Sequence, residues 1–180
     1  MSFDISALKV LFKKIFPPKK SIYTVDTNGD GKADSLLIKA LNVIMPMEIP
    51  KEIEIGGFST TNFDINTFEL PDYGKLFLDD IPINVSKKDF DIVKLKDRFT
   101  FYIKKEKFTI DDLLSGKLAG KIVALGDTIN ILIKIDEDSL EKFSEGHHNF
   151  KFKSEIIPLL EFNFELGNEN LNQNFDSVIN

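Results

Sequence analysis

Ile129, Ile131, Ile133 and Ile135 occupy every second position of one stretch, with Asn130 and Lys134 among the residues between them. Side chains two apart share a face only in an extended strand. Phe99, Phe101 and Ile103 alternate in the same way with Arg98, Thr100 and Lys104, and Phe162, Phe164 and Leu166 alternate with Glu161, Asn163 and Glu165. A chain built from such segments must bury one face of each strand against another sheet or against itself.

The intervening residues supply turns. Gly56-Gly57 separates Glu52–Ile55 from a run beginning at Phe58, Asp72-Tyr73-Gly74 separates residues 63–70 from 75–85, and Gly126-Asp127 joins Lys117–Leu125 to the isoleucine series as a two-residue hairpin turn. Ser21–Val25 and Ser35–Ile44 flank a polar loop as two further strands. Two short helical turns interrupt the strands. Thr109 with Asp112 and Asp138 with Glu141 have the spacing of a capping box, and Gly116 and Gly146 follow as stops. The sequence therefore predicts a mainly β fold, an antiparallel sandwich or barrel of about nine short strands.

Three regions are expected. In residues 1–20, Ile5, Leu8, Leu11, Phe12, Ile15 and Phe16 fall at helical spacing behind Asp4, and Pro17-Pro18 stops the helix. Lys9, Lys13 and Lys14 lie toward its other side, so the segment is a basic amphipathic helix followed by a proline linker. Such a helix either covers its own domain or meets an anionic membrane or a partner, with Leu8, Lys9, Phe12, Lys13 and Phe16 as contact residues. Residues 21–166 form the β domain. Residues 167–180, with five asparagines and little to bury, are expected to form a loosely held tail.

Charge and composition exclude several functions. The chain carries a net charge of −6, but residues 1–20 hold five lysines and one acid, which leaves −10 on the remainder. A body that acidic repels phosphate backbones, so no nucleic-acid partner is expected. Without cysteine there is no disulfide, thiolate nucleophile or thiolate-ligated metal. No signal-peptide pattern and no run of about 20 apolar residues is present. The expected setting is cytoplasmic, or extracellular if a presequence has been removed.

One motif carries chemistry. Residues 26–34 read Asp-Thr-Asn-Gly-Asp-Gly-Lys-Ala-Asp. Ca²⁺ takes six to eight oxygen ligands, and side chains at alternate positions converge on one centre only where the chain turns tightly, as Gly31 permits. Three aspartates confined to nine residues also repel one another unless a cation joins them. The loop resembles the calcium loops of integrin-type propeller repeats and dockerins, and the first nine positions of an EF-hand. That resemblance implies a Ca²⁺ site ligated by the side chains of Asp26, Asn28 and Asp30, the carbonyl of Lys32, and Asp34 directly or through water. Position twelve of an EF-hand, normally glutamate, is Leu37 here, and the flanks are β-formers, so the site is strand-loop-strand and stabilises without switching. The alternative is a metal-free hairpin, since Asn28-Gly29 and Asp30-Gly31 are also good turn dipeptides.

Residues 108–152 resemble the β-sandwich of late-embryogenesis-abundant type 2 domains in the order of short helix, hairpin and later strand. Other signals are structural: His147-His148 reads as a surface loop, Asp79-Asp80 as an edge or turn, Asp89 and Asp91 as a shared strand face, and Lys104, Lys105 and Lys107 as a solvated charge run. No phosphate loop, nucleophile elbow, metalloprotease helix or dinucleotide fingerprint is present. The expected function is that of a non-enzymatic, calcium-stabilised β module with a structural or protein-binding role. The alternative is a peripheral membrane or lipid-binding β domain anchored through residues 4–16.

Overall fold

A computed structural model describes residues 10–11, 13–49, 54–55, 58–59, 75–83, 99–109, 111–112, 115–135, 140–153 and 160–179. The fold is mainly β, with 45% strand and 11% helix. In chain order the strands are β1 (Ile22–Asp26), β2 (Ser35–Leu41), β3 (Met47–Glu48), β4 (Glu54–Ile55), β5 (Phe58–Ser59), β6 (Lys75–Leu78), β7 (Ile81–Ile83), β8 (Phe99–Ile103), β9 (Glu106–Thr109), β10 (Ile122–Val123), β11 (Thr128–Lys134), β12 (Gly146–Lys153), β13 (Leu160–Leu166) and β14 (Gln173–Asn174). Among the described residues these are fourteen segments, five of them only two residues long.

The larger sheet runs β14-β1-β2-β11-β8-β9 and the next β13-β12-β6-β7, with β10-β3 and β4-β5 as separate ribbons. All described pairings are antiparallel except β1 with β14, so the larger sheet is mixed. Neither large sheet closes on itself among the described strands, which removes the barrel from the two architectures expected.

The period-two stretches become strands because each has a face to bury. Ile22 and Leu36 from the larger sheet share one core with Leu78, Phe162, Phe164 and Leu166 from the second, joined by Leu140 and Phe143. Burying a side chain of that size contributes about 1.5–3 kcal/mol. The opposite face of the larger sheet is also covered: Val25, Leu37 and Leu132 pack with Tyr23, Tyr102, Phe175 and Val178. Double coverage explains why β2 contains the unbroken apolar run Leu36-Leu37-Ile38 rather than a simple alternation. A third cluster, Ile103, Phe108, Leu118 and Val123, closes one end of the sheet.

Several local expectations change. Strand β11 pairs with β2 and β8, whereas β10 pairs with β3, so the hairpin expected at Gly126-Asp127 does not join neighbouring strands of one sheet. Asp127 instead caps the bend, accepting the Ala124 N–H on its carboxylate. Asp79-Asp80, read as an edge or turn, is the turn of a β6–β7 hairpin with both residues at positive φ, so residues 75–85 are not one run. The capping box at Thr109 forms as its spacing implies: the Thr109 N–H donates to the Asp112 carboxylate and the Asp112 N–H to the Thr109 hydroxyl. Asp138, Asp89, Asp91 and residues 63–70 lie outside the described residues.

The largest difference is at the chain end. Where a loosely held tail was expected, residues 167–179 lie bonded across the outer face of the larger sheet. Asn170 is fully buried, its amide donating to the carbonyls of Lys19 and Ile22. The Asn172 N–H donates to the Thr24 hydroxyl, β14 pairs in parallel with β1, and Ile179 is buried. Asparagine, read as solvent-loving, serves here to satisfy backbone groups at a distance in sequence.

Candidate metal centre

Strand β1 delivers Asp26 to the head of the loop and β2 departs after Asp34, in a register that pairs Val25 with Ser35. The loop is wound around Asp26. Its carboxylate accepts the N–H groups of Asn28 at 3.1 Å, Gly29 at 2.7 Å and Gly31 at 2.8 Å. Gly29 and Gly31 adopt φ of 82° and 87°, a region costly for residues with a Cβ, and so aim these donors inward.

The pattern propagates at steps of two. Asn28 Oδ1 accepts the Asp30 N–H at 2.8 Å, and Asp30 Oδ1 accepts the Lys32 N–H at 2.8 Å. Each alternate side chain is thereby oriented by the amide two residues on, an Asx turn repeated along the loop. Asn28 Nδ2 also donates to Asp30 Oδ2 at 3.2 Å. At the exit, the two Asp34 oxygens share the Thr27 hydroxyl as donor, and the Ser35 hydroxyl is a second donor. From outside the loop, Asn172 Nδ2 donates to the Gly31 carbonyl at 2.7 Å.

The Gly31 N–H, with those of Gly29 and Asn28, holds the Asp26 carboxyl below the usual carboxylate range against the opposing effect of burial. A group depressed in the folded state contributes stability above its unfolded pKa, near 3.9, and loses it as pH falls through the folded value. Asp26→Asn should therefore flatten the acid side of the stability curve below about pH 4, read as the urea midpoint against pH. An unchanged acid limb would show that the carboxylate is not the group these amides serve.

The donor set fits a hard cation in kind. The side chains of Asp26, Asn28, Asp30 and Asp34 each carry at least one oxygen, and most of these oxygens accept one hydrogen bond, which leaves a lone pair on each. The structure does not draw three carboxylates together: no group of three or more acidic or histidine side chains is placed to hold an ion among the described residues. Asp30 and Asp34 instead face hydroxyl and amide donors of the loop itself. Thr27 and Asn172 were not anticipated as partners of this loop. A hydroxyl one residue after the first aspartate was a visible signal for Thr27, and nothing in the local pattern pointed to Asn172.

No family model matches the chain, and no curated protein matches it. The loop, the fold and the surface therefore carry the functional reading by themselves.

Of the contact residues expected in the N-terminal helix, Phe16 turns inward and stacks on Phe162 with ring centroids 5.0 Å apart. Lys13 is exposed on a helical stretch that includes residues 10–11 and 13–15, and Leu8, Lys9 and Phe12 lie outside the described residues. No helix among the described residues is long and apolar enough to cross a membrane.

The histidine pair is not a surface loop. Both residues lie on β12, where His147 is exposed and His148 is buried against Phe164. His148 Nδ1 meets the Asp79 carboxylate and Nε2 the Ser144 carbonyl at 2.8 Å. Burial alone would raise the Asp79 carboxyl, but the hydrogen bonds from His148 and from the Asn149 N–H outweigh it and hold the group below its usual range. The cluster ties the β6–β7 turn to β12.

Proposed function

We propose that the chain is a non-enzymatic β-sandwich module stabilised by Ca²⁺ at residues 26–34, with a structural or protein-binding role. The observation that supports this most is the winding of the loop around Asp26, followed by two alternate side chains already oriented by backbone amides. Side chains of Asp26, Asn28, Asp30 and Asp34, with the Lys32 carbonyl, would hold the ion. The cation would neutralise three aspartates and tie β1 to β2. The sandwich reading rests on the core that Ile22 and Leu36 of one sheet share with Phe162 and Phe164 of the other.

Isothermal titration is the direct test. Ca²⁺ should bind at about one ion per chain, Asp30→Ala should remove most of the heat, and Asp79→Ala, which also deletes one acid, should leave it nearly unchanged. Mg²⁺ should bind poorly, since it demands a smaller octahedral shell. Absence of heat with Ca²⁺ would reduce the loop to a turn held by its own hydrogen bonds.

A further inference from the structure

Seven large apolar side chains stand exposed among the described residues, and five of them lie on two adjacent segments at one end of the larger sheet. Ile44, Met45 and Met47 lie on the segment leaving β2, and Ile122 and Leu125 on the segment entering β11; their exposures run from 40% to 60%. Pairing of Met47 with Val123 and of Glu48 with Ile122 brings the two segments side by side, with Met47 on one face of this ribbon and Ile122 on the other. Isolated exposed apolar residues are ordinary, but five at one tip are not.

The tip is a built feature. The buried Asn42 side chain donates to the carbonyls of Met45 at 2.7 Å, Val123 at 2.9 Å and Ala124 at 3.2 Å, and accepts the Ile44 N–H. The Asn42 main chain bonds to Asp127 and Gly126, and Asp127 accepts the Ala124 N–H. Internal partners thus satisfy much of the loop backbone while its large side chains point outward. A surface that enters hydrocarbon needs that combination, because unpaired peptide groups are costly there.

Charge separates this end from the rest of the β domain. Residues 42–48, 103–107 and 121–127 hold Lys104, Lys105, Lys107 and Lys121 against Glu48, Glu106 and Asp127, one net positive charge, beside +4 in residues 1–20 and −11 in the rest of the chain. Lys104 and Lys105 form the β8–β9 turn with both residues at positive φ, positions where Asn-Gly would be unstrained. Lys104 pairs with Asp127 and Lys121 with Glu106, each pair having one partly buried member, and Lys121 also lies over the Phe108 ring.

We infer that this tip, formed by Ile44, Met45, Met47, Ile122 and Leu125 with its lysine rim, inserts shallowly into an anionic lipid surface. The apolar side chains enter the headgroup boundary and the lysines meet lipid phosphates, while the acidic remainder of the molecule stays away from the surface. This contact is distinct from residues 4–16. It is also remote from residues 26–34, because β2 runs from the metal loop at Ser35 to the tip at Leu41.

Co-sedimentation of the full chain with phosphatidylcholine vesicles, with and without phosphatidylserine, tests the inference. Binding should require phosphatidylserine, fall about tenfold or more in Met45→Ser/Leu125→Ser, weaken in Lys105→Glu, and persist in Val10→Ser/Ile81→Ser. Chelator should have no effect on it. The exposed positions of Met45 and Leu125 make unfolding of the double variant a minor risk, and its melting temperature checks this. Three results would overturn the inference: no vesicle binding by the full chain, binding that survives the double variant but is lost on removing residues 1–16, or a double variant that abolishes self-association in sedimentation velocity while vesicles stay unbound. The last would assign the tip to contact between copies.

Discussion

Truncation after Leu171 should lower the melting temperature by about 10–20 °C. The removed residues include Phe175, which packs against Tyr102 at 5.2 Å between ring centroids, together with half-buried Val178 and buried Ile179. Their loss uncovers Val25, Leu37 and Leu132, and a buried side chain of this size is worth about 1.5–3 kcal/mol. Partial exposure of Phe175 and Val178 reduces the sum to about 4–6 kcal/mol, a large share of the 5–15 kcal/mol that holds a typical domain. At about 2–4 °C per kcal/mol for a chain of this length, the shift follows. Polar groups add to it, because Lys39 donates to the Val178 carbonyl at 2.6 Å and the buried Asn130 amide lies 3.4 Å from that of Ile179. A truncated chain that melts within a degree or two of the full one would restore the view of this segment as a loose tail.

Millimolar Ca²⁺ should raise the melting temperature by about 5–10 °C, and chelator should reverse the rise. A ligand that binds only the folded state adds RT ln(1 + [L]/Kd), about 2.7 kcal/mol at a hundred times Kd, which millimolar Ca²⁺ reaches if Kd is on the order of 10 μM. Asp30→Ala should lose most of the shift. The truncated chain should also bind Ca²⁺ more weakly, because it lacks the Asn172 amide on the Gly31 carbonyl and the pairing of Asp26 with Asn174. A melting temperature indifferent to ion and chelator would leave the Asx turns as the whole explanation of the loop.

Alternation made the strands legible and left their partners hidden. Ile129, Ile131 and Ile133 announce β11, since period two fixes which side chains share a face. The same pattern is silent on neighbours, and so β11 was assigned to the residues before it when it pairs with β2 and β8. Short-range chemistry is legible where it closes within a few residues, as in the Thr109–Asp112 box. Long-range hydrogen bonds have no such signature. Asn170, Asn172 and His148 are ordinary polar residues until the fold brings the carbonyl of Ile22, the carbonyl of Gly31 and the carboxylate of Asp79 within reach. Within the candidate site, the oxygen-bearing residues were visible in the sequence, and the amides that orient them depended on backbone angles at Gly29 and Gly31 that only the folded loop displays.

The parallel pairing of β1 with β14 has a consequence for synthesis. Asn170 reaches Ile22 across 148 residues, and at about 5–20 residues per second a ribosome needs on the order of ten seconds to make that stretch. Throughout this interval the outer edge of β1 is an unpaired row of peptide groups beside Val25, open to strand addition by any neighbouring nascent chain. Aggregation should therefore be decided during translation more than by the stability of the finished molecule, and chain yield should respond to elongation rate and to holding chaperones.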